Sequence, residues 1–221
     1  MGKLIAIDGL DGSGKGTQSD ILVERLRQEG KRVRVISFPD YENDSSIFVK
    51  MYLEGKLGKK PSDTNAYAAS MFFAADRYVS YRTDWQKDIE DENTIVVANR
   101  YTTANAVHQL SKLPREEWES FLSWLWDFEF GKLGLPEPQI VLYLELPPSL
   151  SLSLVKSRSN TTGQKMDIHE LDTAYMDKCY DAALYSCKRL GWKQIKCYEG
   201  DVIRTREDIA SEIYKEVAGA L

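Results

Sequence analysis

The chain opens on a short apolar run, Leu4-Ile5-Ala6-Ile7, and turns straight into Gly9-Leu10-Asp11-Gly12-Ser13-Gly14-Lys15-Gly16-Thr17. An amphipathic stretch from about Gly16 to Glu29 follows, with Ile21, Leu22 and Leu26 on one side, and it stops at Gly30. A strand, a loop reading GxxxxGK and a helix form the setting in which that motif wraps phosphate groups. Glycines let the backbone curl until successive N–H groups point inward. The helix N-terminus adds partial positive charge, and Lys15 adds a full one for the outer phosphates. One position departs from the common form. Gly16 follows the lysine, so the hydroxyl comes one residue later, at Thr17.

The rest of the chain alternates in the same way. Val33–Ile36, Thr94–Ala98 and Ile140–Leu144 read as apolar strands, and Lys193–Tyr198 as a weaker one. A long helix is predicted from about Asp63 to Asp84, capped by Ser62 or Asp63, and a last helix from about Arg206 to Ala218. Such alternation predicts an α/β fold of three layers. A central parallel sheet of about five strands is covered by helices on both faces, as in P-loop NTPases. All 221 residues read as a single domain. The polar stretch around 157–168 reads as a lid loop. Lys and Arg number 29 against 34 Asp and Glu, a net charge of −5, so a basic stripe for a nucleic-acid polymer is not expected. No apolar run approaches the roughly 20 residues that span a bilayer. The three cysteines form no CxxC pair, which suits reduced thiols and a cytoplasmic setting.

Several further landmarks narrow the reading. Phe38-Pro39 ends the second strand, and Phe73-Ala74-Ala75-Asp76-Arg77 lies within the long helix. Asn99-Arg100-Tyr101 ends the third strand, and His108-Gln109 follows one helical stretch later. Phe73 and Arg77 are four apart, so they share a helix face. A flat ring beside a flat guanidinium suits a nucleobase next to an anion. Arg100, Ala104 and His108 are also four apart, predicting one side of a helix at a strand's C-terminal end, where α/β sheets take ligands. The lysine-glycine-threonine form of the loop resembles nucleoside monophosphate kinases such as adenylate kinase. Taken in order, the landmarks resemble the thymidylate kinase family over nearly the whole chain.

The resemblance implies a phosphotransferase that moves the γ-phosphoryl of ATP to the 5′-phosphate of dTMP, giving dTDP and ADP, with Mg²⁺. It implies catalytic roles for Lys15 and Arg100 and for a lid cation, Arg158 or Lys165. ATP would meet Gly9, Gly12, Ser13, Gly14, Lys15, Gly16, Thr17 and Arg204, with Thr17 at the metal. The acceptor would meet Asp11, Phe38, Pro39, Phe73, Arg77, Arg100, Tyr101, His108 and Gln109. The family resemblance also favours a homodimer. Departures from the family pattern stand beside these matches. Asn99 replaces an acid, Asp40-Tyr41 stands where an arginine follows Phe-Pro, and Ala104 replaces a serine. His108 has two readings, a residue that crowds the sugar 2′ carbon or a buried helix histidine. Asp167-Ile168-His169-Glu170 reads as a capping box for the next helix or as the acidic part of the lid. Two other readings remain open from the residues: a kinase for another pyrimidine monophosphate or a deoxynucleoside, with Asp40 as base, and a nucleotide-binding P-loop protein without catalysis.

Overall fold

A computed structural model describes residues 1–152, 154 and 173–221. Five parallel strands form the central sheet: β1 (Lys3–Gly9), β2 (Arg32–Ser37), β3 (Thr94–Asn99), β4 (Ile140–Glu145) and β5 (Lys193–Lys196). Their order is β2-β3-β1-β4-β5, which puts the loop-bearing strand in the middle. The flanking helices are α1 (Lys15–Gln28), α2 (Ile47–Leu53), α3 (Ala66–Ser80), α4 (Gln86–Glu90), α5 (Thr103–His108), α6 (Trp118–Trp126), α7 (Thr173–Leu190) and α8 (Arg206–Ala218). A small antiparallel pair, β6 (Tyr198–Glu199) and β7 (Val202–Ile203), sits before α8.

Strand residues alternate between two cores, because successive side chains of a strand point to opposite faces. Leu4, Ala6, Val96, Ala98, Val141 and Tyr143 pack with α5, α6 and α7. Ile5, Ile7, Ile95, Val97, Leu142 and Leu144 pack with α1 and α8. Both faces are buried, so these strands carry continuous apolar runs rather than a one-sided pattern. The aromatic stretch of α6 joins the first core through Trp118, Phe121, Leu122 and Leu125.

Two predicted helices shift. The long one starts at Ala66, with the Asn65 side chain accepting the Ala68 N–H. Asp63 instead accepts the N–H groups of Lys59 and Lys60, in a 3₁₀ turn over Pro61–Asp63. Its carboxylate is therefore occupied one turn too early to cap α3. At the other end the helix runs on through a π-type turn, Tyr81–Trp85, into α4. That turn places Trp85 fully inside the core. The second shift concerns Arg100. It lies before α5 rather than on it, at φ 65, and is the non-glycine residue at positive φ among the described residues.

Candidate active site

The site lies at the C-terminal ends of β1, β2 and β3, where an open α/β sheet offers its crevice. Gly9 leaves β1 at φ 156, and a Cβ there would stand 2.6 Å from Ser13 Oγ and 2.7 Å from the Leu144 carbonyl oxygen. No side chain fits between these groups, so the loop can close onto the strand only at a glycine. Gly14, at φ 86, opens α1 in the left-handed region, and as the N-cap residue it has no side chain to cap the helix. Its first-turn amides are thus left to an external anion. Gly12 also has positive φ, 81. Lys15 is 8% exposed and donates to the carbonyl oxygens of Gly9 and Leu10, both at 2.8 Å. Gly16 and Thr17 are exposed on the first turn, while Ser13 Oγ is buried without a hydrogen-bond partner among the described residues.

One carboxylate joins this loop to the third strand. Asp11 Oδ1 lies 3.9 Å from Lys15 Nζ and is ion-paired with Arg100. The Arg100 backbone N–H donates to the Ile7 carbonyl at 2.9 Å, which anchors its unusual φ. Its guanidinium also donates through Nη1 to His108 Nε2 at 3.1 Å. Arg100 and His108 therefore meet as the spacing predicts, although only His108 is helical.

His108 is 4% exposed. Burial, the Arg100 charge, Lys15 and Lys112 push its imidazole down to about 3, against an opposing pull from Asp11. Between pH 6.5 and 3 the unfolded chain binds a proton there that the folded chain refuses, so this group lowers stability as pH falls. His108→Gln is expected to flatten that fall. Melting temperatures of wild type and variant at pH 7 and pH 5 measure the difference, and parallel slopes would refute it.

The remaining expected site residues divide. Phe73 is half-buried, edge-on to Tyr52 at 6.1 Å, with its ring at the α2–α3 junction. Pro39 is half-buried after a cis Phe38-Pro39 bond. Gln109 is buried, and its Oε1 has no hydrogen-bond partner among the described residues. Arg204 donates to the Lys196 carbonyl and to Glu212, beside α1, where Gln18 Nε2 reaches the Arg206 carbonyl at 3.1 Å. Arg158 and Lys165 lie outside the described residues, as do the lid loop and the 167–170 capping box.

Three further expected residues point inward in this structure. The Phe38 ring is in the core against Tyr101, at 6.1 Å. The Tyr101 ring is fully buried, and its hydroxyl donates to the Pro136 carbonyl at 3.0 Å. Apolar surroundings hold both rings there. Arg77 is 1% exposed and forms a two-pronged pair with Glu129, Nε to Oε2 at 2.7 Å and Nη2 to Oε1 at 2.5 Å. Its charge is paired with an inward carboxylate.

Glu129 escapes a sequence reading. It is fully buried and also accepts from Thr102 Oγ1 at 2.6 Å and Asn105 Nδ2 at 3.2 Å. Asp8 is the second such residue. Its carboxylate is fully buried and accepts the Gly9 N–H at 2.8 Å and the Thr103 hydroxyl at 2.5 Å. An acid directly after an apolar strand and before a phosphate loop was its visible signal. Glu129 has none, since its partners lie far away in sequence.

Among the described residues, no group of three or more His, Cys, Asp or Glu could hold a metal by itself. Mg²⁺ asks for less, since it keeps waters and binds substrate phosphates with one or two protein oxygens. The oxygens present fit that demand. Thr17 is exposed beside the loop, and Asn99 Oδ1 is buried with no hydrogen-bond partner among the described residues. Asn99 pairs in register with Ile7, next to Asp8.

A central parallel sheet with a glycine-curled lysine loop on its middle strand defines a P-loop protein of the three-layer α/β class. Its arginine-bearing turn beside the loop narrows that class. The chain belongs to the thymidylate kinase family, whose model matches residues 7–209. It is 29% identical over 171 residues to the thymidylate kinase of Mycobacterium tuberculosis, covering 76% of this chain and 78% of that one. It is 28% identical over 212 residues to the Rhodopirellula baltica thymidylate kinase, covering 96% and 78%. The human thymidylate kinase is 30% identical over 146 residues, covering 66% and 61%. The structure of thymidylate kinase from Candida albicans shares the fold, with a TM-score of 0.68 at 20% identity over 99% of this chain and 92% of that one.

Proposed function

We propose that the protein transfers the γ-phosphoryl of ATP to the 5′-phosphate of dTMP, giving dTDP and ADP. The observation that carries the reading is the Asp11 carboxylate, which lies beside the loop lysine and is ion-paired with Arg100. Cations suited to two phosphate tails are thereby gathered at one point. Family membership supports the choice of acceptor. The attacking oxygen belongs to a phosphate that is ionised near neutral pH, so no side-chain base is needed. Positioning and charge neutralisation supply the catalysis.

Lys15 and the loop amides hold the donor phosphates, with Gly9, Gly12, Ser13, Gly14 and Gly16 shaping their path. Lys15 exchanges its two carbonyl partners for phosphate oxygens when ATP binds. Arg100 faces the acceptor phosphate and the group in transit. Phe73 offers its ring to the base, while Asp11 and Gln109 offer acceptors to the sugar and base. Arg204 would meet the adenine. Mg²⁺, held through Thr17 with Asp8 and Asn99 behind it, would supply charge neutralisation between the phosphates. Arg158 or Lys165 would add the lid cation.

No described helix is long and apolar enough to cross a membrane. We propose a cytoplasmic homodimer. Exposed Tyr67, Met71, Tyr78 and Val79 along α3, with Ile47 and Phe48, supply apolar surface for a second copy.

An acceptor panel with ATP and Mg²⁺ tests the reading. ADP formation is expected with dTMP, less with dUMP, and little with UMP, CMP or no acceptor. Asp40 keeps a kinase for the free nucleoside in view. Its carboxyl is raised by burial and by Asp76 and Asp84 beside it, which suits a base. Faster turnover of thymidine than of dTMP would overturn the monophosphate assignment.

A further inference from the structure

We propose that His108 is a positioning residue, which holds the Arg100 guanidinium on station by accepting its Nη1–H at Nε2. Arg100 is held from two sides, by Asp11 of the loop and by His108 of α5. These two holds differ in permanence. Asp11 belongs to the loop that must reshape around phosphate, and its carboxylate is a natural partner for a sugar hydroxyl. Once it turns to a ligand, the guanidinium keeps the imidazole.

The imidazole itself is fixed from α7. Cys179 Sγ lies 3.6 Å from Nδ1, and Ser111 Oγ lies 3.3 Å from the same sulfur. The His108 carbonyl accepts the Tyr175 hydroxyl at 2.5 Å and the Ser111 hydroxyl at 2.9 Å. An arginine can only donate, so Nε2 must present its lone pair. The ring proton then sits on Nδ1, facing a thiol that burial keeps protonated and whose sulfur can accept. Protonating Nε2 would set two positive groups against each other, with Lys15 and Lys112 adding to the repulsion and Asp11 opposing it. Tautomer and orientation are therefore both determined, and the chain of contacts from Cys179 through His108 to Arg100 ends at the phosphate loop.

The role rests on the dTMP kinase reading only for its kinetic assay. Nitrogen NMR of the full-length protein reports the tautomer without any activity. The proposal expects a bare Nε2 and a protonated Nδ1 across pH 5–8, and a protonated Nε2 would overturn it. Kinetically, His108→Phe keeps a ring but removes the acceptor, whereas His108→Gln returns an acceptor. The first is expected to lower kcat by about 10²-fold through a misplaced guanidinium, with the KM for ATP little changed. The second should recover most of that loss. Equal kcat for wild type and His108→Phe, or failure of a folded His108→Gln to recover, would overturn the role. Absence of turnover in wild type would count against the substrate reading alone, because the tautomer is measured separately.

Discussion

Arg100→Ala is expected to lower kcat by about 10³- to 10⁵-fold, the range found when an arginine aimed at charge on a transferring phosphoryl group is lost. ATP affinity should stay near that of wild type, because the loop amides and Lys15 are untouched. Three features give Arg100 this weight. It sits at φ 65, a conformation costing a non-glycine residue roughly 1–2 kcal/mol, anchored by its N–H on Ile7. It is directed at the loop, where Asp11 meets it. It is also backed by a histidine that cannot compete with it as a cation. Steady-state turnover and ATP titration on the same preparation check both halves. A variant with kcat within tenfold of wild type would remove Arg100 from the chemistry.

Glu129→Ala is expected to be the most damaging single change to stability. The substitution leaves Arg77, 1% exposed, without its carboxylate and also strips Thr102 and Asn105 of an acceptor. Removing one partner of a buried ion pair costs about 3–5 kcal/mol, since the survivor keeps its charge and loses its compensation. At about 2–4 °C per kcal/mol for a chain of this size, the melting temperature should fall by on the order of 10 °C. Glu119 provides the contrast. Its pair with Arg189 is half-exposed on both sides and screened by water, so Glu119→Ala should cost far less. Thermal melts of the two variants side by side decide the matter, and equal melting points would contradict the account.

These two residues also mark how far a sequence reading reaches. Arg100 was legible because it follows a β-branched strand directly, and in a parallel sheet the residue after a strand falls at the ligand end. The phosphate loop was legible because all its requirements are local, glycines for the curl and one lysine at a set distance. Helix ends were less so. Asp63 looked like a cap for α3, but two upstream N–H groups claim it and Asn65 takes the position. Arg77 shares a helix face with Phe73, yet that spacing says nothing about Glu129, which meets it from across the core.

The amino-acid order alone determined the alternation of strands and helices, the parallel sheet and the phosphate loop, because each depends on backbone geometry and hydrophobic period over a few neighbouring residues. Tertiary structure alone decided that Arg77 answers to Glu129, that Tyr101 is core, and that Asp11 and His108 clasp Arg100 between them. Those pairings join residues far apart in the chain, and a charge is committed inward or offered outward only when packing settles which opposite group reaches it first.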